Sequence, residues 1–142
     1  MDSIKNLKFR FNGFTIVKSY FECGNNADDK AFTIAFDPKG IIDDENSIFE
    51  LQFNVQITNN TKDINIEVHS LGRFEFDKNE DMGQLNSYFY LNAPAIMFPY
   101  IRAYISSMTA LSGIRTVVIP TMNLIGLQED LKKNTVKKGL EE

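Results

Sequence analysis

Ser47-Ile48-Phe49-Glu50-Leu51-Gln52-Phe53-Asn54-Val55-Gln56-Ile57-Thr58 alternates apolar and polar residues from Phe49 to Ile57 without a break. Successive side chains of an extended chain point to opposite faces. Phe49, Leu51, Phe53, Val55 and Ile57 therefore face a core, while Glu50, Gln52, Asn54 and Gln56 face water. Thr58-Asn59-Asn60-Thr61-Lys62-Asp63 then supplies turn formers, and Ile64, Ile66 and Val68 resume the alternation, which predicts an antiparallel hairpin. Upstream, Leu7, Phe9 and Phe11 alternate with Lys8, Arg10 and Asn12. Gly13 interrupts that pattern where a bulge can bend the strand before Phe14 to Phe21. Phe32, Ile34 and Phe36 form a further run, preceded by a loop, Gly24-Asn25-Asn26-Ala27-Asp28-Asp29. By composition Asp37-Pro38-Lys39-Gly40 is a turn. Four main strands result, with Phe74 and Phe76 extending the last beyond Gly72.

After Asp77 the period changes. Met97, Ile101, Tyr104, Ile105, Met108 and Leu111 recur at helical spacings and form one stripe on a long helix. Ile96, Tyr100 and Ala103 flank the stripe, so the helix is apolar around more than half its circumference and its second face calls for a partner. Pro94 and Pro99 fit near the start of the helix or at a kink, and Gly113 is placed to end it. Ile114 to Asn123, with Val117-Val118-Ile119 closed by Pro120, resembles an extended loop. Leu124, Leu127 and Leu131 begin a second, shorter helix, and Lys132 to Glu142 has little periodicity and is expected to fray. The fold class is α+β: a four-stranded antiparallel sheet, a long helix and a shorter C-terminal helix. Without an internal repeat or a linker, residues 1–142 are expected to form one domain, its sheet half ending at 77 and its helical half starting at 78.

Of the 142 residues, 43% are hydrophobic and 24% charged, a balance that suits one compact globular domain. A formal charge of −4 argues against nucleic acid, which needs concentrated Lys and Arg. The one basic cluster, Lys132-Lys133 with Lys137-Lys138, lies beside Glu129, Asp130, Glu141 and Glu142 and is expected to be a solvated face. The greasiest region, Ala93 to Ile105, is broken by Pro99 and Arg102, so no membrane insertion is expected. Met1-Asp2-Ser3-Ile4-Lys5 lacks the features of a secretory signal, and Cys23 is the only cysteine; both make the cytoplasm the expected compartment. Asn59-Asn60-Thr61 matches a glycosylation triplet, yet without a secretory signal it is expected to be a polar turn.

Signs of catalysis are thin. The single histidine, His69, falls in a strand, and there is no nucleophile elbow, zinc-protease pair or phosphate-binding glycine loop. Asp28, Asp29, Asp43, Asp44 and Glu45 lack the spacing of a calcium loop, and Cys23 has no neighbour that would lower its pKa. No catalytic residue, metal or cofactor is expected. What stands out is an aromatic excess, 12 Phe and 5 Tyr without tryptophan. Phe36, Phe49 and Phe53 belong to the core, whereas Val118, Ile119 and Met122, in an irregular segment, fit a binding groove and a core equally well.

The stretch Ile96-Met97-Phe98-Pro99-Tyr100-Ile101-Arg102-Ala103-Tyr104-Ile105-Ser106-Ser107-Met108, with Gly113 and Pro120-Thr121-Met122-Asn123-Leu124 after it, resembles the SecB family of export chaperones. Glu67-Val68 and Leu71-Gly72-Arg73-Phe74 also stand where that family would have them. The resemblance implies an ATP-independent chaperone, a holdase that binds unfolded or export-competent polypeptides in apolar surface grooves. It also implies a homotetramer, a dimer of dimers with the long helices between sheet layers. Client-binding residues would be Phe21, Ile114, Val118, Ile119, Met122 and Leu124. Tyr100, Tyr104, Ile105 and Met108 would form the oligomer interface. SecB subunits present acidic residues to the motor SecA, and of these Glu22 and Glu67 are retained. Lys18, however, stands where an acid is expected, and a reversal in an acidic patch opposes docking. That departure adds weight to a SecB-like chaperone dedicated to one client, such as an antitoxin. From other classes come an acyl-thioester enzyme on a hot-dog-like fold, against which the late position of the long helix counts, and a structural oligomer without a client.

Overall fold

The computed structural model describes residues 9–24, 31–77 and 82–139, the last with side chains from 87 onward. Leu7 and Lys8 of the first alternation, the expected loop from Asn25 to Asp29, and Glu141 and Glu142 lie outside the described residues. Four long strands come first: β1 (Phe9–Cys23), β2 (Phe32–Asp43), β3 (Ile48–Asn59) and β4 (Ile64–Phe76). The helix α1 (Met82–Leu111) follows, then a 3-10 turn (Ile125–Leu127), α2 (Gln128–Lys133) and a short β5 (Thr135–Lys137). The sheet order is β1-β4-β3-β2-β5, with every neighbour antiparallel except β5, which runs parallel to β2.

The β3–β4 hairpin forms as its alternation requires. In its turn the Asn59 side-chain oxygen accepts the Ile64 N–H at 3.0 Å, and Asn59 is only 3% exposed, so the triplet there is a polar turn. β1 carries the bulge expected at Gly13 (φ 147°) and a second one at Val17. Each bulge flips the phase of the alternation: Phe9 and Phe11 turn inward, then Phe14 and Ile16, then Phe21 and Cys23.

Two expectations are corrected. Asp37-Pro38-Lys39-Gly40 is not a turn but the middle of β2, paired throughout with β3. Pro38 is tolerated because Gly40, two residues on, directs its N–H away from β3, and alternation aims position 38 the same way. The missing donor therefore falls on the sheet edge and removes no ladder bond. From Thr135 to Lys137 the C-terminal segment is ordered rather than frayed. It returns to the sheet as β5, making a fifth strand where four were expected; Lys137 of β5 and Lys138 just after it pair with Asp44 and Asp43 at 3.4 and 3.6 Å.

The core lies between the inner sheet face and α1. Phe49 of β3 stacks on Phe89 of α1 with ring centroids 4.3 Å apart, and Phe9 stacks on Phe74 at 5.0 Å. Along α1, Phe89, Ala93, Met97, Ile101, Ile105 and Thr109 form a buried line, one at every fourth position, with Pro94 and Phe98 buried beside it. Four residues turn a helix through one revolution plus about 40°, so the line of contact winds around α1 as the helix follows the twisted sheet. Leu111, expected in the buried stripe, is thereby carried to the outside and is 82% exposed. Pro94 and Pro99, expected near the start of the helix or at a kink, both sit inside it.

Candidate functional site

Beyond α1 the chain turns at Gly113 and runs back along the helix as an extended segment of residues 114–124. Side chains of α1 strap it down. The Ser106 hydroxyl donates to the Val117 carbonyl at 3.0 Å, and the Val117 N–H donates to the Thr109 hydroxyl at 2.9 Å. Further along, Arg102 donates to the Thr121 hydroxyl at 3.2 Å. Fixed in this way, the segment alternates: Val117 and Ile119 are 2% and 3% exposed, and Val118 between them is 68% exposed.

Between this segment and β2 lies an apolar groove of about 360 Å³. Phe32, Ile34 and Ile57 line its sheet side, and Val117, Val118, Ile119, Pro120 and Met122 line the other. No charged side chain is among them. The groove thus gathers Val118, Ile119 and Met122 from the residues expected to bind a client, with Ile119 turned into the core. The remaining three lie elsewhere: Leu124 is 7% exposed within the core, Ile114 is half-buried at the start of the segment, and Phe21 is on β1, at the other edge of the sheet. In the sequence Phe32 and Ile34 are simply one face of a strand. Their place beside a groove follows from β2 being next to the sheet edge, which no local pattern announces.

Of the four residues expected at an oligomer interface, Ile105 is fully buried in this chain's own core and is unavailable to a partner. Tyr104 is half-buried; its hydroxyl shares a hydrogen bond of 2.7 Å with Ser19, and its ring faces Phe21. Tyr100 packs on Phe11 and Phe14 with centroids 5.4 and 5.3 Å away, yet remains 49% exposed. Met108 is half-buried. Opposite the buried line runs an uncovered one, Leu91, Ala95, Pro99, Ala103, Ser107 and Leu111, also at every fourth position. Arg102 is the only charged residue in the helix.

The outer sheet face is polar. Lys18 stands across from His69, Tyr20 from Glu67 and Glu22 from Asn65. The His69 Nε2 lies 3.7 Å from the Glu67 carboxylate. Glu22 and Glu67 therefore share a face with Lys18 and His69, and the acidic character is interrupted there. Ser70 follows His69 but faces the opposite side, where its hydroxyl donates to the Phe53 carbonyl at 2.8 Å, so no Ser–His pair forms. The Cys23 thiol is half-buried beside the Gly24 carbonyl. Among the described residues no group of His, Cys, Asp or Glu could hold a metal ion, and no helix is long and apolar enough to cross a membrane.

Comparison with known proteins gives three findings. The family model described as preprotein translocase subunit SecB matches residues 25–134. The uncharacterized protein MJ0357 of Methanocaldococcus jannaschii is 33% identical over 76 residues, which cover 51% of this chain and 48% of that protein. The chain thus spans about half the length of that relative. Among solved structures, the SecB-like chaperone Rv1957 of Mycobacterium tuberculosis, in complex with a ChAD peptide from the Rv1956 HigA1 antitoxin, matches with a TM-score of 0.68 at 14% identity. That match covers 81% of this chain and 88% of the other. A Streptococcus agalactiae protein of unknown function matches with a TM-score of 0.46 at 10% identity, over 83% and 100% of the two chains.

Proposed function

Because the chain belongs to the SecB family, we propose that it is an ATP-independent chaperone, binding unfolded or export-competent polypeptides in the groove between β2 and residues 114–124. The observation that carries this is the groove itself, an open surface of about 360 Å³ lined wholly by apolar side chains. Burying client side chains there yields about 25 cal/mol per Å² of apolar area and needs no fixed set of hydrogen-bonding groups, which suits clients of varied sequence. Association costs about 4–15 kcal/mol, so one groove holds a short peptide weakly. A long client engaging several grooves gains from effective concentration.

Several grooves require several subunits. The uncovered line of α1, uncharged from Leu91 to Leu111 and apolar except at Ser107, supports a homotetramer in which helices pack between sheet layers, with Tyr100, Tyr104 and Met108 at the margin of that contact. Nothing in this function calls for a catalytic group or cofactor, and the work of such a protein lies in the cytoplasm.

A second version is favoured by one observation. Lys18 and His69 stand opposite each other beside Glu22 and Glu67, so the outer face does not offer the continuous acidic surface that a basic partner such as SecA would need. A chaperone dedicated to one client fits that face better than general export, and the Mycobacterium tuberculosis protein is in complex with a peptide from an antitoxin.

The test is the light-scattering mass of the protein with and without an unfolded, non-aggregating polypeptide, repeated for Val118→Asp. A tetramer that binds the polypeptide, and loses it in the variant while keeping its own mass, is expected. A protein of any mass that ignores the polypeptide sinks the proposal.

A further inference from the structure

β3 bounds one side of β2. On the other side, among the described residues, only Gly40–Ile42 has a strand partner, the three residues of β5. The Gly40 N–H donates to the Asn134 carbonyl at 3.2 Å, and the Lys138 N–H donates to the Ile42 carbonyl at 2.8 Å. Backbone groups alternate between the two sides of a strand, so Phe32, Ile34 and Phe36 aim theirs at this same edge. The side chains of Phe32 and Ile34 line the apolar groove. A row of backbone donors and acceptors beside an apolar groove is the combination by which an extended chain is recognised through strand addition.

β5 already demonstrates this kind of pairing, and it is held lightly. None of its three residues is buried, and Val136 is 41% exposed. Its ion pairs, Lys137 with Asp44 and Lys138 with Asp43, involve lysines more than half exposed, and such pairs contribute little. The anchor of the segment lies earlier, at the fully buried Leu131 of α2, so β5 can leave the edge while α2 stays in place.

We propose that the β2 edge from Phe32 to Ile42 is a strand-acceptor site for an extended apolar segment of a client, and that β5 is a self-supplied occupant which the client displaces. This rests on the chaperone function proposed above and adds how the client's backbone is held. Pairing through main-chain groups tolerates varied side chains, and β5 limits access to the edge until a longer strand competes for it.

The full chain is titrated with a fluorescent apolar peptide and with two versions of it, N-methylated at odd or at even positions. Only one set of amides faces β2, so one version binds at least about tenfold more weakly than the other. Amide exchange is followed at Lys138, whose protection falls when the parent peptide saturates the protein. Lys138→Pro, which lacks the donor to Ile42, binds the parent peptide about threefold to tenfold more tightly. Equal binding of the two methylated peptides overturns strand addition and leaves the groove function standing. Unchanged exchange at Lys138, with unchanged affinity for Lys138→Pro, overturns displacement of β5. A parent peptide that does not bind at all removes the chaperone function and this inference together.

Discussion

Met97 of α1 lies directly over Gly72 of β4, so close that a Cβ built on Gly72 would overlap the thioether. Met97 is fully buried at the middle of the winding contact line, and its sulfur and both flanking carbons lie within 3.1 Å of that Cβ position, so the thioether must shift to make room. Gly72→Ala is therefore expected to lower stability by about 1–3 kcal/mol through overpacking, measured by urea unfolding. Met97→Ala in the same chain should make the glycine replacement less costly, because the two changes couple through one contact. Additive losses would contradict this account of the helix–sheet approach.

Val118 and Ile119 are adjacent, yet a charge should have opposite consequences at the two. Val118→Asp places a carboxylate at a position 68% exposed, so the melting temperature should hardly move while polypeptide binding falls. Ile119→Asp places it where only 3% is exposed and should cost about 3 kcal/mol or more in stability. Thermal unfolding beside a binding titration separates the two. Equal destabilisation by both would mean that Val118 is a core residue.

Ala103 lies on the uncovered line of α1, where a carboxylate meets water in a lone subunit and an apolar helix in an assembly. Ala103→Glu should leave helix content by circular dichroism unchanged and lower the mass seen by light scattering. A variant that keeps the wild-type mass would place the subunit contact elsewhere.

The Asp43 carboxyl is held below its ordinary value of 3.8, first by the side-chain amide of Asn46, then by the Asn46 N–H and by Lys138, with desolvation opposing. A depressed folded pKa contributes stability that is present above the ordinary value and lost as pH falls through the folded one. Acidification below about pH 4 is therefore expected to loosen the β2–β3 turn and the end of β5. The readout is the protection factor, corrected for intrinsic exchange, at the Asn46 and Lys138 amides. Asp43→Asn should abolish the pH dependence of both.

Much of the fold is legible locally because it depends on periodicity. The unbroken alternation from Phe49 to Ile57 fixes a strand and its inner face, and Gly13 announces the first bulge of β1, whereas the second, at Val17, emerged only from the pairing with β4. Pro38 misled because a proline's meaning depends on what lies beside it: in a central strand it breaks a ladder, and at an outer edge its missing N–H costs nothing. Leu111 misled for a related reason. A helix laid on a twisted sheet does not keep one face buried along its length, and the twist belongs to the sheet.

For the binding surface, the chain alone provides apolar residues in an irregular segment after a long helix, and the resemblance that rests on that stretch. The amino acids themselves determined the strand alternation, the order of sheet before helix, and the single charge, Arg102, along α1. Only the tertiary structure decided that Val118 turns outward and Ile119 inward, that Phe32 and Ile34 border the groove, and that Ile105 belongs to this chain's own core. The physical reason is that an apolar side chain has the same chemistry in a core and in a groove. Its role is set by which surfaces the fold brings against it.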